Sequence, residues 1–208
     1  MRVIFLPDFV AYPICYFRML RKLGTRVTSD VVNYNDYWPY ESVAALGAEI
    51  ASKRVSDEID AIVGYSFGAF VAIEAASVLA RSGTEVKLHL IDPPNRNMLG
   101  STIPIEIEGR LRANPAYKYL FNLIECDLTH RDCVLSNIAF LADVAAAPQI
   151  DLPCTVYVAG DHATSKAQLE QFHFSHQDAT VVHCPGFNHN NIVDCEAIVD
   201  GICRRERA

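Results

Sequence analysis

Apolar positions along this chain alternate between two periods. Val3 to Leu6 is a short β-rich run that reads as a first strand. After a loop, Ile14 to Leu23 carries Cys15, Phe17, Met19-Leu20 and Leu23 at helical spacing, with Gly24 as a stop. Arg26 to Asn33 reads as a second strand, and Glu41 to Val55 as a helix with Val43, Leu46, Ile50 and Ala51 on one face. Asp60 to Val63 has the continuous apolar character of a buried parallel strand. Phe67 to Arg81 is an Ala-rich apolar run that predicts a buried helix ended by Gly83. Glu85 to Ile91 alternates as a strand does and stops at Asp92-Pro93-Pro94, where proline forbids further ladder pairing. This succession of strands and helices predicts a parallel sheet covered on both faces.

Asn95 to Ile150 departs from that rhythm. The segment is too long for a connecting loop, and helical patterns appear at Ala116 to Cys126 and Arg131 to Ala147. It reads as a helical lid inserted at about 95–150, springing from the sheet edge. The sheet resumes at Pro153 to Ala159. A helix at Lys166 to His173, a strand at Thr180 to Cys184 and a closing helix at Cys195 to Arg205 complete the expectation of a single α/β domain over 1–208.

The turn between the strand at Asp60–Val63 and the Ala-rich helix is Gly64-Tyr65-Ser66-Phe67-Gly68. A G-x-S-x-G sequence between strand and helix is what a nucleophile elbow requires. Ser66 stands at the tip, its hydroxyl at the C-terminal edge of the sheet. The Phe67 N–H, at the start of the helix, can stabilise an oxyanion. A serine hydroxyl needs a base, and the base an orienting carboxylate. His189 lies past the Pro185-Gly186 break after the last strand, at that same edge. His183 falls inside the strand and reads as structural. Two carboxylates end strands at the correct edge, Asp92 and Asp161. Asp194 follows His189 too closely and reads as a helix cap.

Composition narrows the field. A chain of 208 residues, half of them hydrophobic, suits one sizeable core. The net charge of −7 argues against a nucleic-acid ligand. The apolar runs fall short of a membrane span, and the short N-terminal run, broken by Pro7 and Asp8, does not make a secretory signal. Seven scattered Cys residues without a C-x-x-C favour reduced thiols and a cytoplasmic setting over disulfides or a zinc site. His173 and His176 lack supporting ligands. Tyr34, Tyr37, Trp38 and Tyr40 read first as a packed loop or a partner surface, with the lining of a substrate channel as the alternative.

The loop after Leu6-Pro7, the Gly64–Gly68 elbow, Leu90-Ile91-Asp92-Pro93-Pro94 and Gly186-Phe187-Asn188-His189 together resemble the thioesterase domains of nonribosomal peptide and polyketide synthases. The resemblance runs along most of the chain. It implies an α/β-hydrolase fold, a lid in the inserted helices, and release of an acyl or peptidyl chain from the phosphopantetheine of a carrier protein by hydrolysis or cyclisation. No cofactor of the protein's own is implied; the partners are a carrier protein and its small-molecule acyl group. An acid at the end of the strand after the elbow matches the family's chain-terminating branch, so the resemblance favours Asp92, while Asp161 adjoins Gly160 more directly than the editing branch's pattern has it. Alignment with the family's first loop makes Phe9 the second oxyanion N–H, although Asp8-Phe9-Val10-Ala11-Tyr12 replaces the family's Gly-rich sequence. The start at Met1 suggests a free-standing protein. Alternatives are a carboxylesterase or acyltransferase acting on oxygen esters, and a non-catalytic ligand-binding protein on the same scaffold.

Overall fold

The computed structural model describes residues 1–54, 57–94, 104–115, 118–144, 149–150, 152–160, 173–174 and 179–204. Its centre is a six-stranded, wholly parallel sheet. The strands are β1 (Arg2–Leu6), β2 (Thr28–Val31), β3 (Ala61–Tyr65), β4 (Lys87–Ile91), β6 (Cys154–Ala159) and β8 (Ala179–Cys184), in spatial order β2-β1-β3-β4-β6-β8. Two further short strands, β5 (Gln149–Ile150) and β7 (His173–Phe174), pair with each other in parallel. β3 sits inside the sheet and is buried along its whole length, which explains its unbroken apolar sequence.

Helices cover both faces. α2 (Val43–Ser52) and α3 (Phe67–Arg81) share a core with Ile4, Leu6, Ile62, Leu88, Leu90, Val156 and Val158. α1 (Phe17–Leu23) and α7 (Glu196–Cys203) pack on the opposite face with Val3, Phe5, Ala61, Val63, Ile91 and Tyr157. The alternation of these two sets along β1 and β3 is the period-2 geometry of a strand. Ser42 caps α2 by accepting from the Ala45 N–H at 3.0 Å, which satisfies one of that helix's orphan donors.

Among the described residues of the inserted segment stand three helices: α4 (Pro104–Ala113), α5 (Lys118–Glu125) and α6 (Arg131–Val144). The sequence pattern anticipates α5 and α6. It misses α4, whose charged sequence carries a weak apolar stripe. Leu123, Cys133, Val134, Ile138 and Leu141 join the α2–α3 core. The helix expected at 166–173 lies outside the described residues except for His173, which is in β7. Asp194 does not cap α7. Its carboxylate binds Arg18 at 2.9 Å, and α7 starts after Cys195 without a side-chain cap.

Candidate active site

The turn from β3 to α3 is tight because two glycines let backbone meet backbone. A Cβ on Gly64 would stand 2.3 Å from the Gly68 carbonyl oxygen, and one on Gly68 2.1 Å from the Leu6 carbonyl oxygen. Ser66 between them holds φ 54°, ψ −121°, a strained conformation for a residue with a side chain. Its N–H donates to the Ile91 carbonyl at 2.9 Å, tying the elbow to the end of β4. The residue is 2% exposed.

Asp92, the residue after β4, also has positive φ (43°). Its N–H reaches the Tyr157 carbonyl at 2.7 Å, and its Oδ1 accepts from the Ala159 N–H at 2.9 Å. The remaining oxygen, Oδ2, lies 2.6 Å from His189 Nδ1. His189 Nε2 lies 3.0 Å from Ser66 Oγ. The carboxylate is 1% exposed. An acceptor on Nδ1 requires the proton there, which leaves Nε2 as the base facing the serine. The structure therefore brings together Ser66, His189 and Asp92. Asp161 lies outside the described residues.

The loop that carries His189 is held by the elbow itself. The Tyr65 hydroxyl donates to the His189 carbonyl at 2.6 Å, and the two rings lie 5.4 Å apart. Within the loop the Asn188 N–H donates to Asn191 Oδ1 at 2.7 Å and the Asn190 N–H to Asn188 Oδ1 at 3.0 Å. Tyr65 stands inside the recognised motif, but its task is legible only once 124 residues of separation are closed.

Phe67 is the first residue of α3, and Phe9 lies on the loop leaving β1. That loop is pinned along its length. Tyr16 Oη donates to the Leu6 carbonyl at 2.7 Å and Tyr34 Oη to the Pro7 carbonyl at 2.9 Å. The Ala11 N–H donates to the Asp8 carbonyl at 3.2 Å, and Ala11 takes positive φ (69°). The sequence pattern does not mark Asp8 as a site residue. Its carboxylate is buried and accepts from the Val10 N–H at 3.0 Å and from the Tyr119 hydroxyl. Burial pushes its pKa up to about 6.

The aromatic segment is a packed one. Tyr34 is fully buried, Trp38 stacks edge-on to Tyr40, and Tyr37 Oη accepts from Arg54 at 2.7 Å. His89 is buried in β4 with Nδ1 3.2 Å from Tyr157 Oη, away from the serine's hydrogen-bond partners.

A parallel sheet with a positive-φ serine after its third strand in sequence, and an acid and a histidine following later strands in that order, is the α/β-hydrolase architecture. Solved structures share it. The chain superposes on the NocB thioesterase domain, solved as a covalent complex with a fluorophosphonate nocardicin G analogue, with TM-score 0.64 at 20% identity, over 96% of this chain and 90% of that one. RedJ, a thioesterase from the prodiginine pathway of Streptomyces coelicolor, gives TM-score 0.65 at 18% identity, over 97% and 84%. The surfactin-cyclising thioesterase domain SrfTE gives TM-score 0.66 at 15% identity, over 100% and 93%. At these identities the likeness establishes the fold. No protein-family model and no curated protein sequence matches the chain.

Proposed function

We propose that this protein is a serine thioesterase, which releases an acyl or peptidyl chain from a carrier-protein phosphopantetheine through an acyl-Ser66 intermediate. The observation that carries the proposal is the continuous relay from Asp92 Oδ2 through His189 to Ser66 Oγ, with contacts of 2.6 and 3.0 Å, at a strained elbow. The solved structures it resembles, thioesterase domains acting in natural-product pathways, supply the substrate class.

Ser66 Oγ attacks the thioester carbonyl carbon while His189 Nε2 takes the hydroxyl proton. The N–H groups of Phe67 and Phe9 receive the carbonyl oxygen as it becomes an oxyanion; one such donor is worth about 3 kcal/mol of transition state. Collapse breaks the C–S bond, and the proton on Nε2 passes to the leaving thiolate. Asp92 holds the Nδ1 proton and balances the transient imidazolium. Water, or a nucleophile of the acyl chain itself, then attacks the ester carbonyl and returns the proton through His189 to Ser66, giving a free acid or a ring. The described helices of the insertion, α4, α5 and α6, act as the cap over this site, and no cofactor of the protein's own takes part. No helix among the described residues is long and apolar enough to cross a membrane.

The test offers one acyl group as a carrier-protein thioester, as a small-molecule thioester and as an oxygen ester. Intact-mass detection of acyl-Ser66, with turnover faster on thioesters, is expected. Ser66→Ala should stay folded and lose at least about three decades in turnover. Turnover of that variant within tenfold of wild type overturns the serine assignment. Preference for the oxygen ester makes the protein a carboxylesterase or acyltransferase instead.

A further inference from the structure

The inserted helices reach into the first loop with hydrogen bonds as well as apolar packing. Asn137, in the middle of α6, is fully buried. Its Nδ2 donates to the Phe9 carbonyl at 3.1 Å, 128 residues away. Its Oδ1 accepts from the Tyr40 hydroxyl, which is buried beside Cys133. A carbonyl can only accept and Tyr40 is the donor on the other side, so the amide has one orientation. One residue further along the loop, the hydroxyl of Thr129 donates to the Val10 carbonyl at 2.8 Å. Thr129 in turn accepts from Asn35 Nδ2 at 3.3 Å, and Asn35 Oδ1 takes the His130 N–H at 2.9 Å. The Val10 N–H is held by Asp8 Oδ1 at 3.0 Å. The Phe9–Val10 peptide is therefore gripped at its carbonyl by Asn137 and at its N–H by Asp8, with Thr129 on the next carbonyl.

We infer that Asn137, its amide set by Tyr40, is a positioning residue that orients the Phe9 segment through the Phe9 carbonyl and thereby aims the Phe9 N–H at the developing oxyanion. The inference rests on the thioesterase reading of Ser66 and Phe9. In it the insertion builds the oxyanion loop, in addition to covering the site. The Phe9 N–H lies on the Asp8–Phe9 peptide, joined to the clamped Phe9–Val10 plane at the Phe9 Cα, so holding the second plane limits how far the first can swing; an oxyanion donor displaced by as little as about 1 Å loses on the order of 100-fold in rate. The same interaction explains an anomaly of α6: an amide on its buried stripe, flanked at i−4, i−3, i+1 and i+4 by Cys133, Val134, Ile138 and Leu141. A buried amide persists there because both its ends are bonded.

The test compares wild type, Asn137→Leu, Tyr40→Phe and Thr129→Val, with active serine counted by fluorophosphonate labelling and kinetics taken on an acyl N-acetylcysteamine thioester. Hydrogen–deuterium exchange of the peptide covering residues 5–12 reads the loop directly, without any need for turnover. Asn137→Leu should lower kcat per labelled serine by about 10- to 100-fold with KM within threefold. Affinity for an alkyl boronic acid, a mimic of the tetrahedral intermediate, should fall in step, and loop exchange should quicken at least about tenfold while β3 and β4 stay protected. Tyr40→Phe, a smaller change, keeps the amide but frees its orientation, so the same pattern should appear at lower amplitude; it remains informative where Asn137→Leu does not fold. Unchanged loop exchange, kcat within twofold of wild type, or a loss carried by KM overturns the inference. A wild-type protein that neither labels nor turns over overturns the thioesterase reading, and the catalytic meaning of the clamp with it. That case is distinguishable because the exchange arm still reports on the loop.

Discussion

Asp92, on a backbone with positive φ, donates its own N–H to Tyr157, accepts the Ala159 N–H on Oδ1, and meets His189 through Oδ2. The first two bonds hold the carboxylate still, so Oδ2 meets Nδ1 in a fixed direction. Replacing that oxygen by an NH2 group turns an acceptor into a donor and removes the charge that balances the imidazolium. Asp92→Asn should therefore cost about four decades in kcat with the protein still folded, whereas Asp161→Asn should cost at most about one. Steady-state kinetics on one thioester decide it, and reversed penalties would transfer the acid's role to Asp161. Asp8 is a further carboxylate buried beside the site, with burial outweighing the relief that the Val10 N–H provides.

At the scale of elements, the elbow works because β3, α3 and the loop after β1 approach closer than side chains permit. Gly68→Ala drives a methyl into the Leu6 and Pro7 carbonyls, which are backbone and have nowhere to go. The expected loss is about 3 kcal/mol or more, at the upper end of overpacking, with insolubility as the extreme. Gly109, in α4, provides the control: nothing lies within 4 Å of the place a methyl would take there, and it sits inside a helix. Gly109→Ala should gain about 0.5–1 kcal/mol. Urea denaturation of both variants measures the contrast, and a Gly68→Ala protein as stable as wild type would refute the close-approach account of the elbow. The α6 stripe belongs to this scale too. It is one helix face that packs on α3, seals the core and supplies the amide for the Phe9 carbonyl.

For the whole molecule, two buried groups far apart in role set opposing pH dependences. Asp8 has a folded pKa of about 6, above the ordinary 3.8. The folded state then binds more protons than the unfolded between pH 4 and 6, so this group lowers stability as pH rises through that window. His89 has a folded pKa of about 4, below 6.5, because burial disfavours its charge. Here the unfolded state binds more protons, so stability is lost as pH falls from 6.5 towards 4. Each shift corresponds to about 3 kcal/mol at full effect, and the two largely cancel. Asp8→Asn should leave the His89 dependence exposed: little change at pH 4, a gain that grows towards pH 7, and a steeper rise of stability with pH. His89→Leu should do the reverse, with its largest gain at pH 4. Thermal unfolding midpoints from pH 4 to 8 check both signs; a gain for Asp8→Asn that is constant with pH would show that its effect is not protonic.

The chain's own pattern determined what depends on neighbours in sequence. The strand before Ser66, the Ala-rich helix after it and the glycines on either side follow from period and from the space a turn allows, so the elbow was legible in the sequence. So was the placing of His189 and Asp92 at strand ends on one edge, because parallel strands alternating with helices put all their C-terminal ends together. Tertiary structure decided what depends on distant partners. Only the fold brings Asp92 to His189 across 97 residues and Asn137 to Phe9 across 128. Asn137 announced itself merely as a polar residue on an apolar stripe, and Asp8 as a loop residue after proline. The physical reason is that periodicity records which side of an element is buried, since burial acts on each residue separately. A hydrogen bond is a relation between two residues, and no single stretch of sequence contains both.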